Sequence, residues 1–267
     1  MRAITYDRFG PAADVLTLQD LPTPDPAAGE VLVRLHASGV NPSDTKARAG
    51  GRPGVTAPPF PLIIPHSDGA GVIAAVGEGV PQSRVGQRVW VWNGQWRRAS
   101  GTAAEYITLP AAQAVPLPDN VSFETGAVLG IPGLTAAHAV LGNGPVAGKR
   151  VLVSGGAGSV GHLAVQIAAQ SGAEVIATAR GTANLQAAQQ AGAAHVLDYA
   201  APDLAGRILA ATGGALIDHV VEVEFGQNAN TIAQVIAENG SVAAYGSAKD
   251  MTPSIPFYPL MFKAVRL

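Results

Sequence analysis

Arg150-Val-Leu-Val-Ser-Gly-Gly-Ala-Gly-Ser-Val-Gly161 is the stretch whose reading decides the architecture of this chain. Val151-Leu-Val153 is short, apolar and β-branched-rich, the pattern of a parallel strand covered on both faces. Gly156, Gly158 and Gly161 follow with G-x-G-x-x-G spacing, and a helical pattern runs on through residue 170. Glycine at such places lets the chain turn tightly, brings backbone N–H groups close to a pyrophosphate and lets the helix pack on the strand. The helix N-terminus adds a partial positive charge suited to phosphate. In a chain with 32 glycines the spacing alone would carry little; the strand-turn-helix setting is what predicts a dinucleotide site.

Working outward, residues 151–154, 174–179, 195–199, 219–223 and 241–246 read as strands, with helices at 162–171, 182–191, 202–211 and 228–238 between them. That alternation predicts a right-handed βαβ series and an α/β, doubly wound parallel sheet of Rossmann type over residues 124–267. Residues 1–123 are different in kind. They are rich in Pro and Gly and carry short alternating runs, Glu30-Val-Leu-Val-Arg-Leu-His36 and Gly71-Val-Ile-Ala-Ala-Val76, which predict an irregular β-rich domain. The Ala-rich segments 183–194 and 201–211 have helical spacing and read as packing helices.

Composition narrows the function classes. A formal net charge of −2 provides no basic footprint for nucleic acid. No run of about 18 apolar residues predicts a membrane span, and the N-terminus lacks the apolar core of a signal peptide, so a soluble cytoplasmic protein is expected. With no cysteine, disulfides, thiolate zinc sites and a cysteine nucleophile all drop out. The six histidines show no i, i+4 pair, and no metal is expected.

Cofactor choice is read at the end of the second strand, where a carboxylate on the ribose 2′-OH would mark NAD. The chain has Ala177-Thr-Ala-Arg-Gly181 there. The hydroxyl of Thr178 and the planar cation of Arg180 suit the 2′-phosphate of NADP instead.

Four motifs in order carry a family resemblance: Gly39-Val-Asn-Pro-Ser-Asp44, Pro65-His-Ser-Asp-Gly-Ala-Gly71, Gly130-Ile-Pro-Gly-Leu-Thr135 and the turn ending at Gly161. Together they resemble the zinc-independent quinone oxidoreductases, the zeta-crystallin-like branch of the medium-chain dehydrogenase/reductase superfamily. The resemblance covers essentially the whole chain. It implies a GroES-like β-rich domain before the Rossmann domain, an NADPH-dependent reductase acting in the cleft between the two, and a homodimer or homotetramer. Residue by residue, it implies catalytic positions at Asn41, Asp44 and Thr135, with Asn41 and Thr135 also beside the nicotinamide. Gly156, Gly158, Ser159, Val160 and Gly161 would hold the pyrophosphate, Thr178 and Arg180 the 2′-phosphate, with Tyr199, Gly246 and Ser247 completing the cofactor site. Two positions depart from the family pattern: Asn184 stands where a lysine often helps with the 2′-phosphate, and Lys46 where an aromatic often follows Asp-Thr. Asn41 and Asp44 also fit a purely structural role as Asx residues shaping a Pro-containing turn.

Zinc-dependent relatives use Cys and His as catalytic ligands where this chain has Asn41 and Ser67. His66 is one position off the ligand slot and reads as a hydrogen-bonded loop residue. Without a Lewis acid, the accessible chemistry is hydride transfer to an acceptor that is already electrophilic, a quinone or conjugated enone, with Asn41 orienting rather than ionising. Enoyl thioesters or alkenals are alternative acceptors. An alternative of another class is an NADPH-binding structural or regulatory protein without turnover.

Tyr245-Gly-Ser-Ala-Lys249 spells the acid/base pair of short-chain dehydrogenases, but it follows a strand pattern, which would not align the two side chains. Trp90 and Trp92 alternate as strand-packing residues, Trp96 is the better candidate for the acceptor pocket, and Phe257 and Tyr258 offer a second wall. Met261-Phe-Lys-Ala-Val-Arg-Leu267 reads as the start of a sixth strand, so the Rossmann domain is expected to be cut short at its C-terminal end.

Overall fold

Val31, Val33, Ile73, Val89, Ile107 and Leu109 alternate along their strands and converge on one buried interior in the computed structural model, which describes residues 1–51 and 54–267. They belong to the first of two compact units, Met1–Ile131. It opens with a ribbon of β1 (Arg2–Thr5) and β2 (Thr17–Asp20), linked through the short helix α1 (Ala12–Val15). Then come β3 (Glu30–Gly39), α2 (Pro42–Arg48), β4 (Asp68–Val76), β5 (Arg88–Val91), β6 (Tyr106–Pro110), β7 (Ala114–Pro116) and α3 (Phe123–Gly126). The remaining five strands form an antiparallel sheet in the order β6-β3-β4-β5-β7. The register shift between Leu32 and Val33 passes over Ala74, a bulge on β4, and that between Leu35 and Ala37 passes over His36, a bulge on β3; each bends its strand. This is the GroES-like fold.

The second unit, Pro132–Leu267, is the Rossmann-type layer. A π-helical turn, Leu129–Gly133, leads into α4 (Leu134–Leu141). Strand and helix then alternate: β8 (Arg150–Val153), α5 (Ser159–Gln170), β9 (Glu174–Ala179), α6 (Thr182–Gln190), β10 (His195–Asp198), α7 (Leu204–Ala211), β11 (Ile217–Glu222), α8 (Phe225–Val235) and β12 (Ile236–Ala244), followed by α9 (Phe257–Phe262). All pairings are parallel, in the order β10-β9-β8-β11-β12. The apolar run in β8 has a direct cause. Val151 and Val153 pack with Ala164, Val165 and Ala168 of α5, while Leu152 points the other way, toward Ile208 of α7 and Ile232 of α8. Each of these Val, Leu and Ile side chains contributes about 1.5–3 kcal/mol by leaving water.

Several boundaries differ from the sequence reading. α5 begins at Ser159 rather than 162, because Gly158 is extended (φ −76°, ψ 167°) and serves as N-cap. α8 begins at Phe225 rather than 228, and β12 at Ile236 rather than 241. Asn239, at φ 57°, breaks that strand, and the pairing jumps from Ile217↔Ile236 to His219↔Ser241. Tyr199 lies beyond the end of β10. The expected sixth strand does not form: Met261 and Phe262 close a helix, and a turn follows. Pro256 and Pro259 fall at and just inside the start of α9, where a missing N–H costs nothing, and only Arg266 pairs in parallel with Ser241. No helix among the described residues is long and apolar enough to cross a membrane.

Candidate active site

In the second unit the glycine turn is held from the neighbouring strand. Thr178, buried near the end of β9, accepts the Gly155 N–H on its hydroxyl (3.3 Å), and its carbonyl accepts the Gly156 N–H (2.8 Å). The glycines of the motif have unequal reasons to be glycine. A Cβ on Gly161 would lie 2.1 Å from the Gly155 oxygen, and one on Gly156 would lie 2.8 Å from the Ala177 Cβ, so both are fixed by packing. A Cβ on Gly158 would meet nothing nearer than the Gly155 oxygen at 3.3 Å. That contact is tight but far milder than those at 156 and 161. No side chain caps α5, and the N–H groups of Ser159, Val160 and Gly161 precede the first intrahelical bond, from His162 N–H to the Gly158 carbonyl. Three backbone donors without intrahelical partners at a helix start are an arrangement suited to an anion.

Arg180 follows β9 with its side chain exposed and without a hydrogen-bond or ion-pair partner among the described residues. Its carbonyl accepts from the Asn184 amide (2.9 Å), so Asn184 braces the backbone of this corner. Tyr199 is 47% exposed just past β10. Gly246 accepts the Phe225 N–H (3.0 Å). The Ser247 hydroxyl accepts the Gly226 N–H (2.9 Å) and donates to the Asp250 carbonyl. Thr135 is half-buried in the first turn of α4.

Sequence reading missed Glu222. It is fully buried at the end of β11, where its carboxylate accepts from the Ser154 hydroxyl, the Glu224 N–H and the Asn228 amide. Burial, and next the Glu222 charge, push the Tyr245 phenol up to about 12. Tyr245 and Lys249 share no helix, so the short-chain acid/base pair does not form.

In the first unit Asn41 and Asp44 are both buried and form a reciprocal capping box at the start of α2, with the Asp44 carboxylate accepting the Asn41 N–H (2.7 Å). The Asn41 amide also donates to Asp68 Oδ2 (2.7 Å), which takes the Ile131 N–H as well (2.8 Å). Asp68, the first residue of β4, is the second residue that sequence reading passed over. A lone Asp before Gly-Ala-Gly looks like turn chemistry, and only the buried strand register gives it away. Its other oxygen, Oδ1, has no hydrogen-bond partner among the described residues and lies over Gly130, where a Cβ would stand 2.1 Å away. Burial raises its pKa to about 6 against the opposing bonds from Ile131 and Asn41, with Asp44 raising it further. Ser67 contributes its carbonyl to the Gly94 N–H (2.7 Å). Among the described residues no cluster of three or more His, Cys, Asp or Glu is arranged to hold a metal.

The aromatic residues separate. Trp90 packs beside the Ala70–Leu117–Ala127 cluster, Trp92 falls after β5, and Trp96 is exposed under the Arg97 guanidinium (5.5 Å). Phe257 lines an apolar hollow of about 420 Å³ with Phe225, Ile232 and Leu260, all within the second unit.

Comparison with known proteins matches residues 27–119 to the alcohol dehydrogenase GroES-like domain and residues 159–267 to the zinc-binding dehydrogenase domain. A quinone oxidoreductase of Rattus norvegicus is 34% identical over 248 residues, covering 92% of this chain and 73% of that protein. A mycobacterial protein solved in complex with NADPH superposes with a TM-score of 0.83 at 32% identity, over 100% of this chain and 80% of its own. An NAD-dependent alcohol dehydrogenase superposes with a TM-score of 0.89, also at 32% identity, covering 100% and 83%.

Proposed function

The chain belongs to the quinone oxidoreductases of the medium-chain dehydrogenase/reductase superfamily, and from that premise we propose that it catalyses NADPH-dependent, metal-free, two-electron reduction of a quinone or conjugated enone. The observation that carries the reading is the pairing of the uncapped α5 start and the unpartnered Arg180 where an NAD enzyme would place a carboxylate. The mycobacterial NADPH complex supports the same cofactor.

The residues fit a dinucleotide. Backbone donors at Ser159, Val160 and Gly161, beside Gly156 and Gly158, bind the diphosphate. Thr178 holds the turn in shape, and Arg180 offers a planar cation to the 2′-phosphate. Tyr199 covers the adenosine end, Gly246 and Ser247 shape the loop after β12, and Thr135 positions the nicotinamide end. Reduced nicotinamide supplies the hydride when bound. Asn41 orients the reacting groups, and Asp44 acts through Asn41 by fixing its backbone. An electrophilic acceptor needs orientation more than Lewis-acid activation, which suits Asn41 and Ser67 at positions where zinc enzymes carry ligands. We take the working form to be a homodimer or homotetramer, as the family resemblance implies, and its location to be cytoplasmic, as the composition predicts.

The test is oxidation of NADPH with a small para-quinone and with a conjugated enone, before and after exhaustive chelation. Steady turnover that survives chelation is expected. No oxidation with either acceptor overturns the reading, and activity lost on chelation and restored by zinc overturns its metal-free part.

A further inference from the structure

His66 precedes β4 with φ +77°, in the left-handed region, a strain of about 1–3 kcal/mol for a residue other than glycine. Its backbone gives no reason for an imidazole: the carbonyl accepts the Thr102 N–H (2.9 Å), a bond any residue could make. The side chain, in contrast, is pinned. Thr102 Oγ1 donates its one hydrogen to the Asp68 carbonyl (2.6 Å). Ser38 Oγ, 2.9 Å from Thr102 Oγ1, must then be the donor in that contact. With the Ser38 hydrogen spent, His66 Nδ1, at 3.0 Å from Ser38 Oγ, must donate in turn. Three bonds therefore fix one tautomer, with hydrogen on Nδ1, and leave Nε2 as the nitrogen that gains or loses a proton.

The lock ends on the main-chain carbonyl of Asp68, whose carboxylate holds Asn41, so one residue anchors both side chains. We propose that His66 is a catalytic proton donor, its Nε2–H converting the reduced acceptor's oxygen anion to a hydroxyl. This rests on the reductase reading above. Two-electron reduction by the nicotinamide hydride leaves one acceptor oxygen anionic. That oxygen forms its O–H bond as the Nε2–H bond breaks, the electron pair stays on nitrogen, and water reprotonates the half-buried ring.

Burial holds the imidazolium below the ordinary histidine value of 6.5, with the field of Asp44 on α2, the charged side chain facing it, pulling upward. The charged ring is thus a better acid than free histidine. Turnover is expected to fall as pH rises through that lowered pKa.

His66→Gly relieves the backbone strain, so the variant folds at least as well as the parent. It should lower kcat about 100-fold or more, remove that pH limb and leave NADPH affinity, read by fluorescence titration, unchanged. Nitrogen-15 NMR of histidine-labelled enzyme should show His66 protonated on Nδ1 when neutral and a tautomer mixture in Ser38→Ala. A His66→Gly variant with parental kcat and pH profile and a raised Tm makes His66 structural and overturns the proposal, while the reductase reading stands. A neutral ring protonated on Nε2 overturns it as well. A parent enzyme that reduces no acceptor overturns the reductase reading and this role together.

Discussion

The Ser154 hydroxyl donates to Glu222 Oε2, tying the carboxyl end of β8 to that of β11 at the one place where the strand order of the parallel sheet reverses. Open α/β sheets bind their ligands at such a switch point. Every neighbour of Glu222 is a donor, which suits an acceptor-only carboxylate. Glu222→Gln turns an amide N–H₂ against those donors and should cost about 1–3 kcal/mol in urea unfolding. The Tyr245 phenol, at about 12 in the parent, should come part of the way down in an ultraviolet titration, since burial remains. Unchanged stability together with an unchanged Tyr245 would disprove the network.

Valine at 158 and valine at 161 should fail differently. Gly161→Val drives a side chain into the Gly155 oxygen and should lower Tm outright. Gly158→Val meets only the Gly155 oxygen, at 3.3 Å, so its Tm should fall much less than that of Gly161→Val while NADPH affinity falls about tenfold or more, roughly 1.4 kcal/mol. Equal loss of Tm in both variants would remove the argument that position 158 is kept open for a ligand.

Arg180→Asp should reverse cofactor preference. The parent is expected to bind NADPH about tenfold more tightly than NADH, and the variant to favour NADH, because a carboxylate repels the 2′-phosphate and accepts from a ribose hydroxyl. Titration of both cofactors decides; a parent with equal affinities refutes the assignment of Arg180.

Asp68 gives a pH signature of definite sign. Its pKa is about 6 in the fold and 3.8 when unperturbed, so the folded state holds the extra proton between these values. Its contribution is fully present below 3.8 and is lost as pH rises through about 6. Relative to Asp68→Asn, the parent should lose about 2–3 kcal/mol across that window. His66, with its lowered pKa, acts in the opposite sense but is common to both proteins and cancels. Parallel urea-midpoint curves for the two would place the Asp68 pKa near its unfolded value instead.

The sheet was legible because β8 to β12 carry local signals: apolar runs, spaced glycines and Ala-rich helices between them. What escaped depends on tertiary context. Asp68 and Glu222 look like ordinary strand-end carboxylates, and only burial against Asn41, Ile131, Ser154 and Asn228 distinguishes them. The left-handed backbone of His66 leaves no trace in residue order, since histidine is common in loops. α9 was misread because Met261-Phe262 and Val265 have strand-like composition, while the prolines that set its start lie upstream. Asn41 was legible both as a site residue and as an Asx turn residue, and its capping box and its bond to Asp68 both bear on it.

Gly130 and Asp68 stand far apart in the chain, yet an oxygen of one occupies the volume where a side chain of the other would begin. The consequence concerns how this sequence can drift. A methyl group at 130 has room only after position 68 gives up its carboxylate, and loss of that carboxylate alone strips Asn41 and the Ile131 amide of their acceptor. Neither substitution is neutral first, so the two positions are bound to change in a coupled step or to stay as they are.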